Sequence, residues 1–170
     1  MMEHSVVKSP LDPVIEIQTE VIAMEESEDA MTVSDFFQRF EATEASSLIL
    51  WDNVSTDNAV AYRAAAEQER VLWEYELTLI SNEIRSRISD KETEELKRME
   101  IEWYKTRDQY AERAASKTTM MNSQNQNPAY IRAQAEKTKE RCYWLASEYE
   151  DILNQTNVDD TDETEIIDRP

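Results

Sequence analysis

Residues 127–152 read NPAYIRAQAEKTKERCYWLASEYEDI, and this stretch decides the fold. Ile131, Ala135, Thr138, Cys142, Leu145, Tyr149 and Ile152 recur at spacings of 4, 3, 4, 3, 4 and 3. Such a heptad seam belongs to a helix that buries one stripe against another helix. Asn127-Pro128 precedes it as an N-cap with proline at the first helical position. Residues 116–127 lack helical periodicity and form an interhelical loop. Before that loop, Leu96, Met99, Trp103, Thr106 and Tyr110 repeat the 3, 4 spacing. Two seams joined by one polar loop predict an antiparallel helical hairpin in which paired positions sum to about 245. Tyr110 then lies near Ala135, Thr106 near Thr138, Trp103 near Cys142 and Met99 near Leu145.

Working toward the N-terminus, a further helix is expected from Thr56-Asp57, with Ala66, Trp73, Leu77, Ile80, Ile84 and Ile88 as its seam. Val71, Leu72, Tyr75 and Leu79 widen its apolar face, so it needs more than one neighbour. Ser89-Asp90-Lys91-Glu92 matches a capping box and marks either a break near 89 or a weak point. Ser34 can cap a short helix carrying Phe36, Phe37 and Phe40, and the apolar run Leu48-Ile49-Leu50-Trp51 follows. Phe36, Phe37, Phe40, Leu48, Trp51 and Trp73 exceed what one hairpin can cover, so they are candidate self-association residues. Val14-Ile15-Glu16-Ile17 has the pattern of a short strand, inside what reads as a mobile arm.

Composition agrees with an all-α fold, an antiparallel helical hairpin or coiled-coil bundle with disordered acidic ends. There is no glycine among the 170 residues, which disfavours tight hairpins, phosphate-cradling loops and most β architectures. The expected division is an acidic arm over 1–31, a helical bundle over 32–156 and an acidic tail over 157–170. The charge of −19 is uneven. Residues 1–60 hold 13 acids against Lys8 and Arg39, residues 61–142 hold 15 of each sign, and residues 143–170 hold 9 acids against Arg169. Within the balanced middle, residues 113–147 hold six bases against Glu136 and Glu140.

The single histidine, His4, leaves no Glu-x-x-His pair, and the single cysteine, Cys142, sits on the seam without a base beside it. Glu92, Glu94 and Glu95 read as a solvated face. Walker, dinucleotide and triad motifs are absent from the sequence. The expectation is a protein that is not an enzyme and has no cofactor, no metal and no small-molecule substrate. No apolar run reaches the ~18 residues of a membrane span, and the N-terminus lacks a signal-peptide pattern, so a soluble cytoplasmic protein is expected.

The local cations define a candidate nucleic-acid or acidic-partner site: Arg113, Lys117, Tyr130, Arg132, Lys137, Lys139 and Arg141, with Tyr143 nearby. Cations beside accessible aromatics suit single-stranded nucleic acid, with charge for phosphates and flat faces for bases. An acidic tail over 158–168 is expected to screen such a zone, between subunits rather than within one chain. Trp73-Glu74-Tyr75-Glu76-Leu77, the Trp103-Tyr104 pair, Asn127-Pro128-Ala129-Tyr130 and Tyr143-Trp144-Leu145 together resemble the recombination mediator proteins of tailed phages over roughly residues 60–155. That resemblance implies a helical, oligomeric scaffold that loads a recombinase onto single-stranded DNA. Three readings stand: a helical interaction and assembly protein, a single-stranded-DNA mediator, and an acidic DNA mimic that occupies a nucleic-acid-binding protein.

Overall fold

The computed structural model describes residues 30–52, 54–55, 57–118 and 127–155. The Val14–Ile17 stretch, the acidic run 25–29, most of the interhelical loop and the tail from 156 onward lie outside the described residues. The described residues form five helices: α1 (Val33–Asp52), α2 (Ala59–Arg87), α3 (Asp90–Ala115), α4 (Pro128–Glu148) and the single turn α5 (Glu150–Leu153). They contain no strand.

Local chemistry sets each boundary. Thr32 donates to Asp35 through its backbone N–H at 2.8 Å and its hydroxyl at 2.6 Å, closing the start of α1. Ser34, expected as the cap, is instead inside the helix. With no glycine or proline between Phe36 and Trp51, the short helix and the apolar run fuse into one 20-residue helix. Asn58 caps α2 by accepting from Ala61 N–H at 3.1 Å. The break near 89 is present. Ser89 N–H donates to Glu92 at 2.9 Å, and Glu92 N–H returns a longer bond to the Ser89 hydroxyl. Asn127 accepts from Ala129 N–H at 2.9 Å, with Pro128 opening α4 as read from the sequence. At Tyr149 the backbone turns to φ −106°, ψ 22°. This irregular residue shifts the helical phase, so Leu153 rather than Ile152 enters the core, at 1% exposure.

The seam of α4 is buried as expected: Ile131, Ala135, Thr138, Cys142 and Leu145 are all enclosed. Its main neighbour is not the expected one. The closest partner of α4 is α2, and the two run parallel, Tyr62 beside Arg132 and Arg87 beside the end of α5. Cys142 Sγ lies 3.7 Å from the Trp73 carbonyl oxygen rather than against Trp103. Small residues on the facing sides, Ala65, Ala66, Ala135, Cys142 and Ala146, suit such a close approach. The remaining helices flank this pair. Antiparallel α1 covers it through Phe36, Phe40 and Leu50, and antiparallel α3 packs mainly on α4. The chain therefore runs up, down, up, down, with α4 touching every other helix.

The α3–α4 register stands. Gln134 donates to Asp108 at 2.9 Å, Tyr110 hydroxyl to Glu136 at 3.4 Å, and Arg141 lies over Trp103. The face of α3 needs correction. Thr106 is exposed and Met99 is 44% exposed, whereas Leu96, Arg107, Ala111 and Ala115 are buried and Trp103 half-buried. On α2 the expected seam is enclosed from Ala66 to Ile84, with Ile88 half-buried. An interior carboxylate, absent from the apolar pattern, also joins α1 to α2. Glu76 accepts from Arg39 Nε and Nη2, both at 3.0 Å, and from Thr43 hydroxyl at 3.2 Å. One heptad earlier, Glu69 accepts from the Ser47 hydroxyl and from Trp51 Nε1. Arg87 ties the opposite end together, donating to the Met31, Ile152 and Leu153 carbonyls.

Candidate nucleic-acid or partner interface

The end of α1, the start of α2, the end of α3 and the start of α4 meet at the loop end of the bundle. A cleft of about 520 Å³ opens there, lined by Tyr62, Glu69 and Trp73 of α2, Tyr110 and Ala114 of α3, and Arg132, Glu136 and Lys139 of α4. A smaller depression of about 300 Å³ continues from it over Tyr110, Arg113, Ala114 and Lys117. Four of the cations expected from the sequence thus border one continuous surface: Arg113, Lys117, Arg132 and Lys139.

Each is held differently. The Arg132 guanidinium stacks 4.5 Å from the Trp51 ring centre and donates to Tyr62 hydroxyl at 3.2 Å. Trp51 and Tyr62 are themselves in ring contact at 4.9 Å. Arg132 therefore has aromatic and hydroxyl partners, and stays exposed. Arg113 donates to the Gln109 carbonyl, and Lys117 is exposed at the end of the helix. Lys139 is ion-paired to Glu44 of α1 and lies 5.6 Å from the Trp73 ring centre. Glu69 and Glu136, the latter one turn along α4 from Arg132, add two carboxylates to the same cleft and offset part of its positive charge.

The other expected residues are placed elsewhere or already partnered. Lys137 pairs with Glu140 at 2.6 Å and covers the Tyr110 ring at 4.4 Å. The Glu140 hydrogen bond holds its pKa above the ordinary lysine value. Tyr130 is half-buried, and burial raises its phenol pKa. Arg141 is buried between Trp103 and Trp144. It is not at the cleft. Desolvation lowers its pKa from the usual arginine value.

The candidate self-association residues divide as sharply. Phe36, Phe40 and Trp73 are enclosed in the single-chain core, where Phe40 meets Trp73 at 6.1 Å and Tyr143 at 5.1 Å between ring centres. Enclosed within one chain, these three are covered without a second copy. Phe37 and Trp51 are half-buried, and Leu48 is 62% exposed. Beside it on α1, Ile49 is 52% exposed and Ala42 and Ala45 are exposed. These four residues form an apolar strip of small and large side chains along the outer face.

Cys142 is fully enclosed, and burial, with the Glu76 charge next, pushes its thiol pKa far above the ordinary range. A thiol so held stays protonated and is a poor nucleophile. Among the described residues no group of three or more histidine, cysteine, aspartate or glutamate side chains could hold a metal ion, and no helix is long and apolar enough to cross a membrane.

Sequence reasoning missed Trp51 and Tyr62 as parts of the cleft, and missed the stacked Arg107, which lies 4.8 Å from the Tyr104 ring centre and 5.5 Å from Trp103. The i, i+4 spacing of Trp103 and Arg107 and the i, i+3 spacing of Arg141 and Trp144 were the available signals. Trp51 and Tyr62 meet across an interhelical connection, and spacing along one helix does not report such contacts. Comparison with protein-family models, curated proteins and solved structures finds no match in any of the three.

Proposed function

We propose that the chain is a non-catalytic helical interaction and assembly protein that self-associates through the outer face of α1. The observation that carries this reading is the strip Ala42, Ala45, Leu48 and Ile49, apolar and exposed on a helix whose other face is fully engaged. Burial of such a strip against a second helix removes apolar area from water, at roughly 25 cal/mol per Å². The alanines let two backbones approach. The test is Ala45→Cys, since the native Cys142 is buried and does not compete. Mild oxidation should give a covalent dimer, and Leu48→Glu in the same chain should suppress it. Persistence of monomer under oxidation would reject α1 as the contact.

A second reading, single-stranded-DNA mediation, is favoured by one observation. Arg132 on Trp51 and Tyr62 faces a cleft continuous with Arg113 and Lys117. Stacking platforms beside cations are the elements of a single-strand groove. Binding of single-stranded DNA that weakens steeply with salt, and is lost in Arg132→Glu, supports it. No binding at low salt rejects it. The DNA-mimic reading gains less, because many of the acids on the folded body, such as Glu74, Glu76 and Glu100, are already matched to arginines.

A further inference from the structure

The outer face of α1 has a heptad spacing of its own. Gln38, Ala42, Ala45, Ile49 and Asp52 recur at 4, 3, 4 and 3, and all five are exposed. That is the spacing of a helix that meets a second helix along one stripe. The charges beside the stripe decide the direction in which a second copy can lie. The exposed ionic groups of α1 are Asp35, Glu41 and Asp52, all acids. Its one base, Arg39, is committed to Glu76, and Glu44 to Lys139. A parallel pair of α1 helices sets each exposed acid against its own copy, and such like-charge contacts are costly. An antiparallel pair centred on Ala45 avoids them. Ala45 then meets Ala45, Ala42 meets Leu48, and the Gln38 amide meets the Asp52 carboxylate.

The same arrangement carries Glu41 toward a cation. Glu41 lies on the α4 side of α1: burial raises the Tyr143 phenol pKa, and the Glu44 and Glu41 charges add to the rise. Among the described residues the Glu41 carboxylate has neither an ion pair nor a side-chain hydrogen bond. Antiparallel α1 and α4 are held in register by Glu44 on Lys139 and Trp51 on Arg132. With Ala45 at the centre, position 51 of one copy stands opposite position 39 of the other. Glu41 of the second copy is then about 3 Å along the axis from the level of Arg132, at ~1.5 Å per residue. A two-fold axis keeps the α4 sides of both copies on one side of the pair. Side chains lean toward their own helix N-terminus, which for Arg132 and for the second copy's Glu41 is the same direction. Arg132 stacks on Trp51 and gives one hydrogen bond to Tyr62, which leaves guanidinium donors for a carboxylate.

We propose, resting on self-association through α1, that the pair is antiparallel and two-fold, with Ala45 at the axis and Glu41 of each copy bound to Arg132 of the other. The second copy thereby supplies an anion to the cleft at the loop end.

Two single substitutions in the full chain, Gln38→Cys and Asp52→Cys, test the direction. These positions face each other across the antiparallel pair, but each is roughly 21 Å from its own copy at ~1.5 Å per residue. Under mild oxidation an equal mixture of the two chains should give a covalent dimer of one with the other, and neither chain alone should cross-link. Cross-linking of either chain alone would overturn the direction. A mixture that stays uncross-linked although the unaltered chain sediments as a dimer would overturn the register while leaving self-association intact. A monomer mass at every concentration removes self-association, and this arrangement with it. Charge reversal tests the ion pair. Glu41→Arg reduces the net negative charge, so relief of general repulsion would strengthen association; the proposed contact predicts a dimer weakened by about tenfold instead. Arg132→Glu should also weaken it, and both changes in one chain should restore it. Failure of that restoration, with helix content unchanged, would overturn the contact between Glu41 and Arg132.

Discussion

Replacing Arg39 by alanine strands the Glu76 carboxylate. Glu76 is 1% exposed and the Arg39 side chain 10%, so the carboxylate is interior and its partner is largely covered. The two guanidinium bonds at 3.0 Å would be lost, leaving only the Thr43 hydroxyl at 3.2 Å to face a full negative charge. Breaking a buried pair from one side costs about 3–5 kcal/mol, because the remaining charge is uncompensated. Arg39 also lies 5.9 Å from the Tyr75 ring centre, and that contact goes with it. In a Glu76→Gln background the same alanine substitution strands no charge, so its cost should fall to that of a hydrogen bond from a charged donor to a neutral amide, about 1.5–3 kcal/mol. The double-mutant cycle is measured by urea unfolding followed by helical circular dichroism. Its coupling should be about 2 kcal/mol, the difference between the middles of those two ranges. If Arg39→Ala costs less than about 0.5 kcal/mol, the range of surface substitutions, α1 is not clamped to α2 by this pair.

Other predictions follow from the same contacts. Leu145→Ala, at a fully buried position on α4, should destabilise the bundle by about 2–5 kcal/mol in the same unfolding assay. Ser89→Ala removes the hydroxyl that accepts from Glu92 N–H, leaving the backbone N–H bond to the Glu92 carboxylate, and should cost about 0.5–2 kcal/mol, with faster amide exchange confined to the first turn of α3. Asp35 and Glu92 have pKa values lowered by their cap hydrogen bonds, from Thr32 and Ser89 respectively. Their contribution is therefore present above the ordinary carboxylate pKa and lost as pH falls through the lowered folded values, so acid titration followed by NMR should show both helix starts loosening together. The Cys142 thiol should resist alkylation in the native chain and react fully in denaturant.

Much of this architecture was readable in the sequence because its signals are local. Asn127-Pro128 and Ser89 with Glu92 fixed two helix starts through side chains that reach only two or three residues. The α3–α4 register followed from a loop of known length between two helices. The direction each helix faces was harder. Met99 and Thr106 were assigned to the interior by their spacing, yet the inner face of α3 is Leu96, Arg107, Ala111 and Ala115. An arginine that lays its guanidinium over Trp103 and Tyr104 fills a position that a pattern of apolar residues leaves blank. A heptad seam also states that a stripe is buried without naming its partner, which is why the parallel approach of α2 to α4 was not foreseen. At the candidate interface the cations were legible by type. Their partners were not, since Glu44, Trp51 and Tyr62 are distant in sequence from Lys139 and Arg132.

The central claim is that this chain works by associating with itself through α1, and sedimentation equilibrium of the full chain tests it most directly. The account predicts a mass that rises with concentration above the 19.9 kDa of one chain. It also predicts a return to 19.9 kDa in Leu48→Glu with helix content unchanged. A mass of 19.9 kDa at every concentration for the unaltered chain would contradict it.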